Sequence, residues 1–157
     1  MPSLEIICIG QSEPLDFSGL PFVVKADREL KSYRSPAPLF QPDFDRLTGC
    51  IYHVLDNCQP ACCTCYELLV RDWYDEGGNS NGRDENIEFG DQYADGMKRL
   101  LEALLASSPS GQILFTTDYQ FGPAEAERCG PMTFATFKDL YNAGEVRMNA
   151  AYLITAI

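Results

Sequence analysis

Residues 88–107 read "EFGDQYADGMKRLLEALLAS", and the spacing of the apolar side chains in this stretch decides the fold class. The apolar residues recur three and four positions apart, which is the spacing of one face of an α-helix. They are Phe89, Tyr93, Met97, Leu100, Leu101, Leu104 and Leu105. Acidic residues stand near the start, and Lys98 and Arg99 come later, which is the order that the helix dipole favours. The stretch therefore predicts a helix over residues 88–107.

The chain after this helix predicts a strand, a second helix and a last strand. "QILFTTDY" (112–119) and "VRMNAAYLITA" (146–156) are rich in alternating apolar and β-branched residues, as strands are. "TFATFKDLYNAG" (133–144) lies between them and has its apolar residues at helical spacing. The hydroxyl of Thr133 is suited to cap the first turn of this second helix.

The chain before the helix reads mostly as strands. "LEIICIG" (4–10), "PFVVKA" (21–26) and "CIYHVL" (50–55) each predict a short strand, the first of them ended by Gly10. "YELLVRDWY" (66–74) is taken as a fourth strand, although "ELLV" could equally begin a helix.

These elements predict an α+β fold, with one mixed β-sheet of about six strands and two amphipathic helices packed on a face. The predicted order is β-β-β-β-α-β-α-β. A chain of 157 residues is expected to form a single domain, here over residues 1–157. The stretch "EGGNSNGRDEN" (76–86) contains no apolar residue, so we predict an exposed mobile loop at residues 75–86.

Charge and composition exclude some classes of partner. The chain has 12 basic and 23 acidic residues, a formal net charge of −11, without any basic cluster. Nucleic acids and anionic membrane surfaces need a positive face, so neither is expected as a partner. The start "MPSLEIICIGQ" has no basic region and no long apolar run, which predicts a cytoplasmic protein with reduced cysteines.

Four cysteines within residues 58–65, "CQPACCTC", are a candidate zinc site. The ligands would be Cys58, Cys62, Cys63 and Cys65, because thiolates suit zinc and four ligands complete its tetrahedron. Such a site would be cramped, since most structural zinc sites draw their ligand pairs from separate segments. The alternative is that these thiols pack as small apolar groups, as we expect for Cys8 and Cys129. On a strand, Cys50 and His53 would point to opposite faces and could not share an ion.

Residues 72–95 hold most of the negative charge, with eight acidic residues against Arg83 alone. The default explanation is structural, because acidic residues stabilise the start of a helix and an exposed polar loop needs no further purpose. An EF-hand calcium loop is half matched by residues 77–88, where Gly77 stands in place of the first aspartate.

The third explanation of this segment is a surface that binds a basic protein. A concentrated negative patch speeds encounter with a basic partner, and an aromatic side chain beside it can anchor the contact. Inhibitors and immunity-type proteins that neutralise basic enzymes use this logic, and the comparison rests on size and charge alone. The candidate contacts are Trp73, Asp75, Glu76, Asp84, Glu85 and Glu88.

Catalysis is a hypothesis for the whole chain, and it ranks below protein binding and zinc binding. His53 is the only histidine, so a Ser-His or Cys-His nucleophile would have to use it. The sequence contains no phosphate-loop lysine motif and no dinucleotide motif. The leading prediction is therefore a non-catalytic acidic protein-binding domain, with a zinc-binding protein as the alternative and a small enzyme using His53 as the third.

Overall fold

The computed structural model describes residues 2–27, 49–55, 83–119, 127–143, 145–146 and 150–156. These residues form the strands β1 (Pro2–Ile9), β2 (Val23–Asp27), β3 (Gly49–Leu55), β4 (Gln112–Tyr119), β5 (Glu127–Thr133) and β6 (Ala150–Thr155), with the helices α1 (Arg83–Ser107) and α2 (Phe134–Ala143).

All six strands join one sheet in the order β2-β3-β1-β4-β6-β5. Neighbouring strands run antiparallel except β5 and β6, which are parallel, so the sheet is mixed. The predicted α+β class, with one mixed six-stranded sheet and two helices, is confirmed. Along the described residues the elements run β-β-β-α-β-β-α-β.

β5 was not among the strands predicted from the sequence, because it contains Gly130 and Pro131. Proline has no backbone N–H to give to a ladder and is confined to edge strands or bulges. Both conditions hold here. β5 comes last in the strand order, and its pairing with β6 is irregular between Cys129 and Met132. The strand predicted at residues 66–74 lies outside the described residues.

α1 begins at Arg83 rather than near residue 88, so residues 83–86 of the predicted loop are helical. The rest of that loop lies outside the described residues. The start of α1 at Arg83 disfavours the EF-hand hypothesis, although residues 77–82 of that loop lie outside the described residues. Arg83 would occupy the seventh loop position, whose carbonyl must turn to the ion, whereas a carbonyl at the start of a helix points along the helix axis.

The larger core lies between the two helices and one face of the sheet. Its members are alternate residues of the strands together with one side of each helix, among them Ile6, Cys8, Tyr52, Phe115, Leu100, Leu104 and Phe137, which are all fully buried. Because strand side chains alternate between faces, the intervening residues point to the second face. There Ile7, Ile51, Leu114 and Ala151 form a smaller buried cluster.

The second helix is held by a cap and by aromatic packing. Thr133 Oγ1 accepts a hydrogen bond from the backbone N–H of Thr136 at 3.2 Å, which confirms the predicted N-cap. The ring of Phe137 packs at an angle against Phe115 of β4 and Tyr152 of β6, with ring centroids 4.9 and 5.4 Å apart. These contacts fix α2 over β4 and β6.

Candidate partner-binding surface

The longest connection in the described residues is the segment 10–22 between β1 and β2, which we call the β1–β2 loop. The chain leaves β1 through Gly10, whose φ of 84° lies in the left-handed region that glycine enters without strain. A loop of this length without regular structure is commonly a binding element. Its inner side is buried and its outer side is exposed, and the two sides are built from different residue types.

Tyr52 of β3 anchors the middle of the β1–β2 loop. Its hydroxyl accepts a hydrogen bond from the backbone N–H of Leu15 at 2.8 Å and donates one to Gln11 Oε1. The rings of Phe17 and Tyr52 pack in a T-shaped arrangement, with their centroids 5.8 Å apart. Burial raises the pKa of Tyr52 to about 12, so the phenol remains a hydrogen-bond donor into the alkaline range where an exposed tyrosine ionises.

Gln11 connects three elements of the fold. Its side chain is buried, accepts from Tyr52 and donates from Nε2 to Ser107 Oγ at 3.0 Å. Ser107 in turn donates to the carbonyl of Leu104 at 3.0 Å. One hydrogen-bonded chain therefore runs from β3 through the loop to the end of α1. A satisfied polar network of this kind fixes one arrangement of the loop.

The far end of the β1–β2 loop lies directly on α1. Pro21 and Phe22 meet the helix at Gly96, and a Cβ atom built there would stand 2.5 Å from Pro21 Cδ. Phe22 is 4% exposed and belongs to the larger core. The absence of a side chain at position 96 is what lets the loop approach the helix this closely.

The outer side of the loop is acidic with an apolar centre. Glu13, Leu15 and Asp16 are exposed, and Leu15 is 37% exposed although its backbone is held by Tyr52. The loop contains no basic residue. It thus presents two carboxylates around one aliphatic side chain on a backbone that is already fixed. A fixed backbone lowers the entropy lost on binding.

The second sheet face carries a polar row beside its apolar cluster. His53 Nδ1 lies 3.2 Å from Glu5 Oε1, and the two residues are direct cross-strand partners. Lys25 is the partner of His53 on the other side, and Thr116 donates to the carbonyl of Glu5 at 3.0 Å. A carboxylate that orients an imidazole is a unit of acid–base and metal sites. This pair gives His53 an orienting carboxylate, which is one part of the site that the enzyme hypothesis would require.

Cys50 points to the helix side of the sheet, opposite His53, as predicted. It lies in the larger core with Cys8, its direct cross-strand partner, and both are fully buried. Cys129 is half-buried against the same core. Packing is thus confirmed for Cys8 and Cys129.

The structure describes only part of the sites predicted from the sequence. The backbones of Asp84, Glu85 and Glu88 lie in the first two turns of α1, where acidic residues interact well with the helix dipole. Over the described ranges, no three side chains of metal-binding type come together. The other candidates, Cys58, Cys62, Cys63, Cys65, Trp73, Asp75 and Glu76, lie outside the described residues.

Sequence reasoning missed the β1–β2 loop. The available signal is "PLDF" and "GLPF" within residues 14–22, where apolar and aromatic residues interrupt a polar connection between strands. Such residues in a loop indicate that it packs on the core rather than extending into solvent.

Comparison with known proteins gives no relative. No protein-family model, curated protein or solved structure matches the chain. Among the helices that the structure describes, none combines the length and apolar character needed to cross a membrane.

Proposed function

We propose that this chain is a non-catalytic, cytoplasmic protein-binding domain that recognises a basic partner, as inhibitors and immunity-type proteins do. The observation that carries the proposal is the β1–β2 loop, in which Glu13 and Asp16 flank the exposed Leu15 on a backbone anchored by buried Tyr52. A binding loop that is already ordered loses less entropy on association than a mobile one.

Charge supports the same partner class. The net charge of −11 attracts a basic surface, although salt screens this attraction beyond about 8 Å at physiological ionic strength. At contact the apolar side chain supplies short-range packing, while the carboxylates pair with basic groups around it. The acidic segment at residues 72–95 would add to the attraction, and Trp73, Asp75, Glu76, Asp84, Glu85 and Glu88 remain proposed contacts.

The test is affinity capture with the full chain immobilised and lysate of the source organism applied at low and high salt. The variant Glu13→Lys/Asp16→Lys should lose a basic protein that the wild-type chain retains, while the variant remains folded. The matched control is Glu102→Lys/Glu145→Lys, which changes the net charge of the chain by the same amount at two exposed acidic residues outside the loop. Equal capture by all three proteins, or retention of no basic protein by the wild type, would remove the proposal.

Zinc binding is the second proposal, and the four cysteines within residues 58–65 favour it. It predicts that the purified chain contains zinc in a stoichiometric amount. Replacing one cysteine ligand should remove the metal and lower the stability of the fold. The two proposals are compatible, because a zinc site would serve folding while the acidic surface serves binding.

A further inference from the structure

We propose that Cys8 and Cys50 form a cross-strand disulfide when the protein meets a peroxide, and that this disulfide loosens the β1–β2 loop. The proposal adds a modification site to the fold. It does not depend on the proposed function, because both the bond and the loop can be observed without any partner.

The backbone register places the two cysteines as a disulfide requires. They are directly opposite on the antiparallel strands β1 and β3, and their side chains share the helix side of the sheet. Opposed residues of antiparallel strands have Cα atoms about 4.5–5.5 Å apart, which lies within the range of about 4.4–6.8 Å that disulfides use. The register therefore meets the Cα spacing that a disulfide needs. In the structure both cysteines are reduced.

Each thiol holds a different element against the sheet. Cys8 Sγ donates to the carbonyl of Leu104 in α1 at 3.4 Å. Cys50 Sγ donates to the backbone carbonyl of Gln11 in the β1–β2 loop at 3.6 Å. Both bonds depend on the thiol hydrogen, and a disulfide has none. Oxidation therefore removes one contact between sheet and loop and one between sheet and helix.

The chemistry balances with hydrogen peroxide as the oxidant. Peroxide oxidises the first thiol to a sulfenic acid and is itself reduced to water. The second sulfur attacks the sulfenic sulfur, its proton leaves with the displaced hydroxyl as a second water, and the S–S bond forms. Two thiols and one peroxide give one disulfide and two waters.

The β1–β2 loop covers the Cys50 side of this pair, because the Cys50 thiol bonds to Gln11 of that loop. Both cysteines are fully buried, and burial also raises the pKa of the Cys8 thiol, which keeps it in its less reactive form. Oxidation must therefore follow a local opening of the loop, and its rate should depend on the stability of the loop rather than of the whole fold. A variant that loosens the loop should oxidise faster at the same peroxide concentration.

The test uses hydrogen peroxide on the full chain in which Cys58, Cys62, Cys63, Cys65 and Cys129 are replaced by Ser. After alkylation and digestion, mass spectrometry should find a peptide pair that links residues 8 and 50, cleaved again by a dithiol. Hydrogen exchange should accelerate severalfold at residues 11–22 and stay unchanged in α2. In the same background, Cys50→Ser is the matched control and should show neither effect.

Peptide mapping of the oxidised wild-type chain repeats the test in case the five-serine variant fails to fold. Absence of the linked pair in the wild type, or its formation only in denaturant, would overturn the disulfide. A linked pair without faster exchange at residues 11–22 would overturn the coupling to the loop.

Discussion

Replacing Gly96 by alanine tests the close approach of the β1–β2 loop to α1. The added methyl would stand 2.5 and 2.7 Å from Cδ and Cγ of Pro21 and 3.2 Å from Cε1 of Phe22. Carbon atoms pack best at about 3.5–4.0 Å, so the loop must retreat by roughly 1 Å. The proline ring is fixed to its backbone and cannot rotate away, so the backbone of the loop has to move.

Two terms of opposite sign set the magnitude of this change. Alanine stabilises a helix by about 1 kcal/mol relative to glycine. Inserting a methyl group into a packed contact costs about 1–3 kcal/mol. We therefore expect Gly96→Ala to lower the free energy of unfolding by about 1 kcal/mol, where the same exchange in an open helix site would raise it.

Urea unfolding measures the total change, and a pair of control variants isolates the helix term. Glu102 is exposed on the same helix, so Glu102→Ala and Glu102→Gly differ mainly in helix propensity. Hydrogen exchange at Leu15 reports on the loop and should accelerate in Gly96→Ala. If Gly96→Ala instead stabilises the protein by the full difference between the Glu102 variants, with unchanged exchange at Leu15, the argument for the close approach is refuted.

Three further changes test other parts of the description. Tyr52→Phe removes the hydroxyl that bonds to the Leu15 amide and to Gln11 Oε1. Urea titration should show a free energy of unfolding that is lower by about 1–3 kcal/mol. Folding raises the pKa of Tyr52 from 10.0 to about 12. The protonated phenol therefore contributes fully to the free energy of unfolding below pH 10, and this contribution is lost as the pH rises to 12. It amounts to roughly 2–3 kcal/mol, and a pH series of Tyr52→Phe should lack that decline. Thr133→Ala removes the cap of α2 and should cost about 1 kcal/mol, and an unchanged urea midpoint would contradict the cap. Chain purified without chelator should contain about one zinc, lost in Cys62→Ser. Metal-free wild-type protein would assign the cysteine cluster to packing.

Sequence periodicity predicted most of the described helices and strands, but it missed β5 and the β1–β2 loop. Apolar spacing reveals which side of a strand or helix is buried, and it placed Leu100, Leu104 and Phe137 in the core correctly. The contacts that shape the β1–β2 loop join residues far apart in the chain. Tyr52 and Gln11 are 41 positions apart, and Gln11 and Ser107 are 96 apart. No local pattern encodes these pairs, because they depend on which strands become neighbours.

β3 shows how one short strand can serve two separate purposes. Its even-numbered residues, Cys50, Tyr52 and Val54, enter the core under the helices, and Tyr52 there holds the β1–β2 loop. Ile51 and His53 lie on the other face, where His53 meets Glu5. The contact of His53 with Glu5 and the contact of Tyr52 with the loop therefore lie on opposite sides of the sheet, although both start from β3. The side chains of β3 that bond to the loop are the phenol of Tyr52 and the thiol of Cys50, so changes in these two groups act on the loop directly.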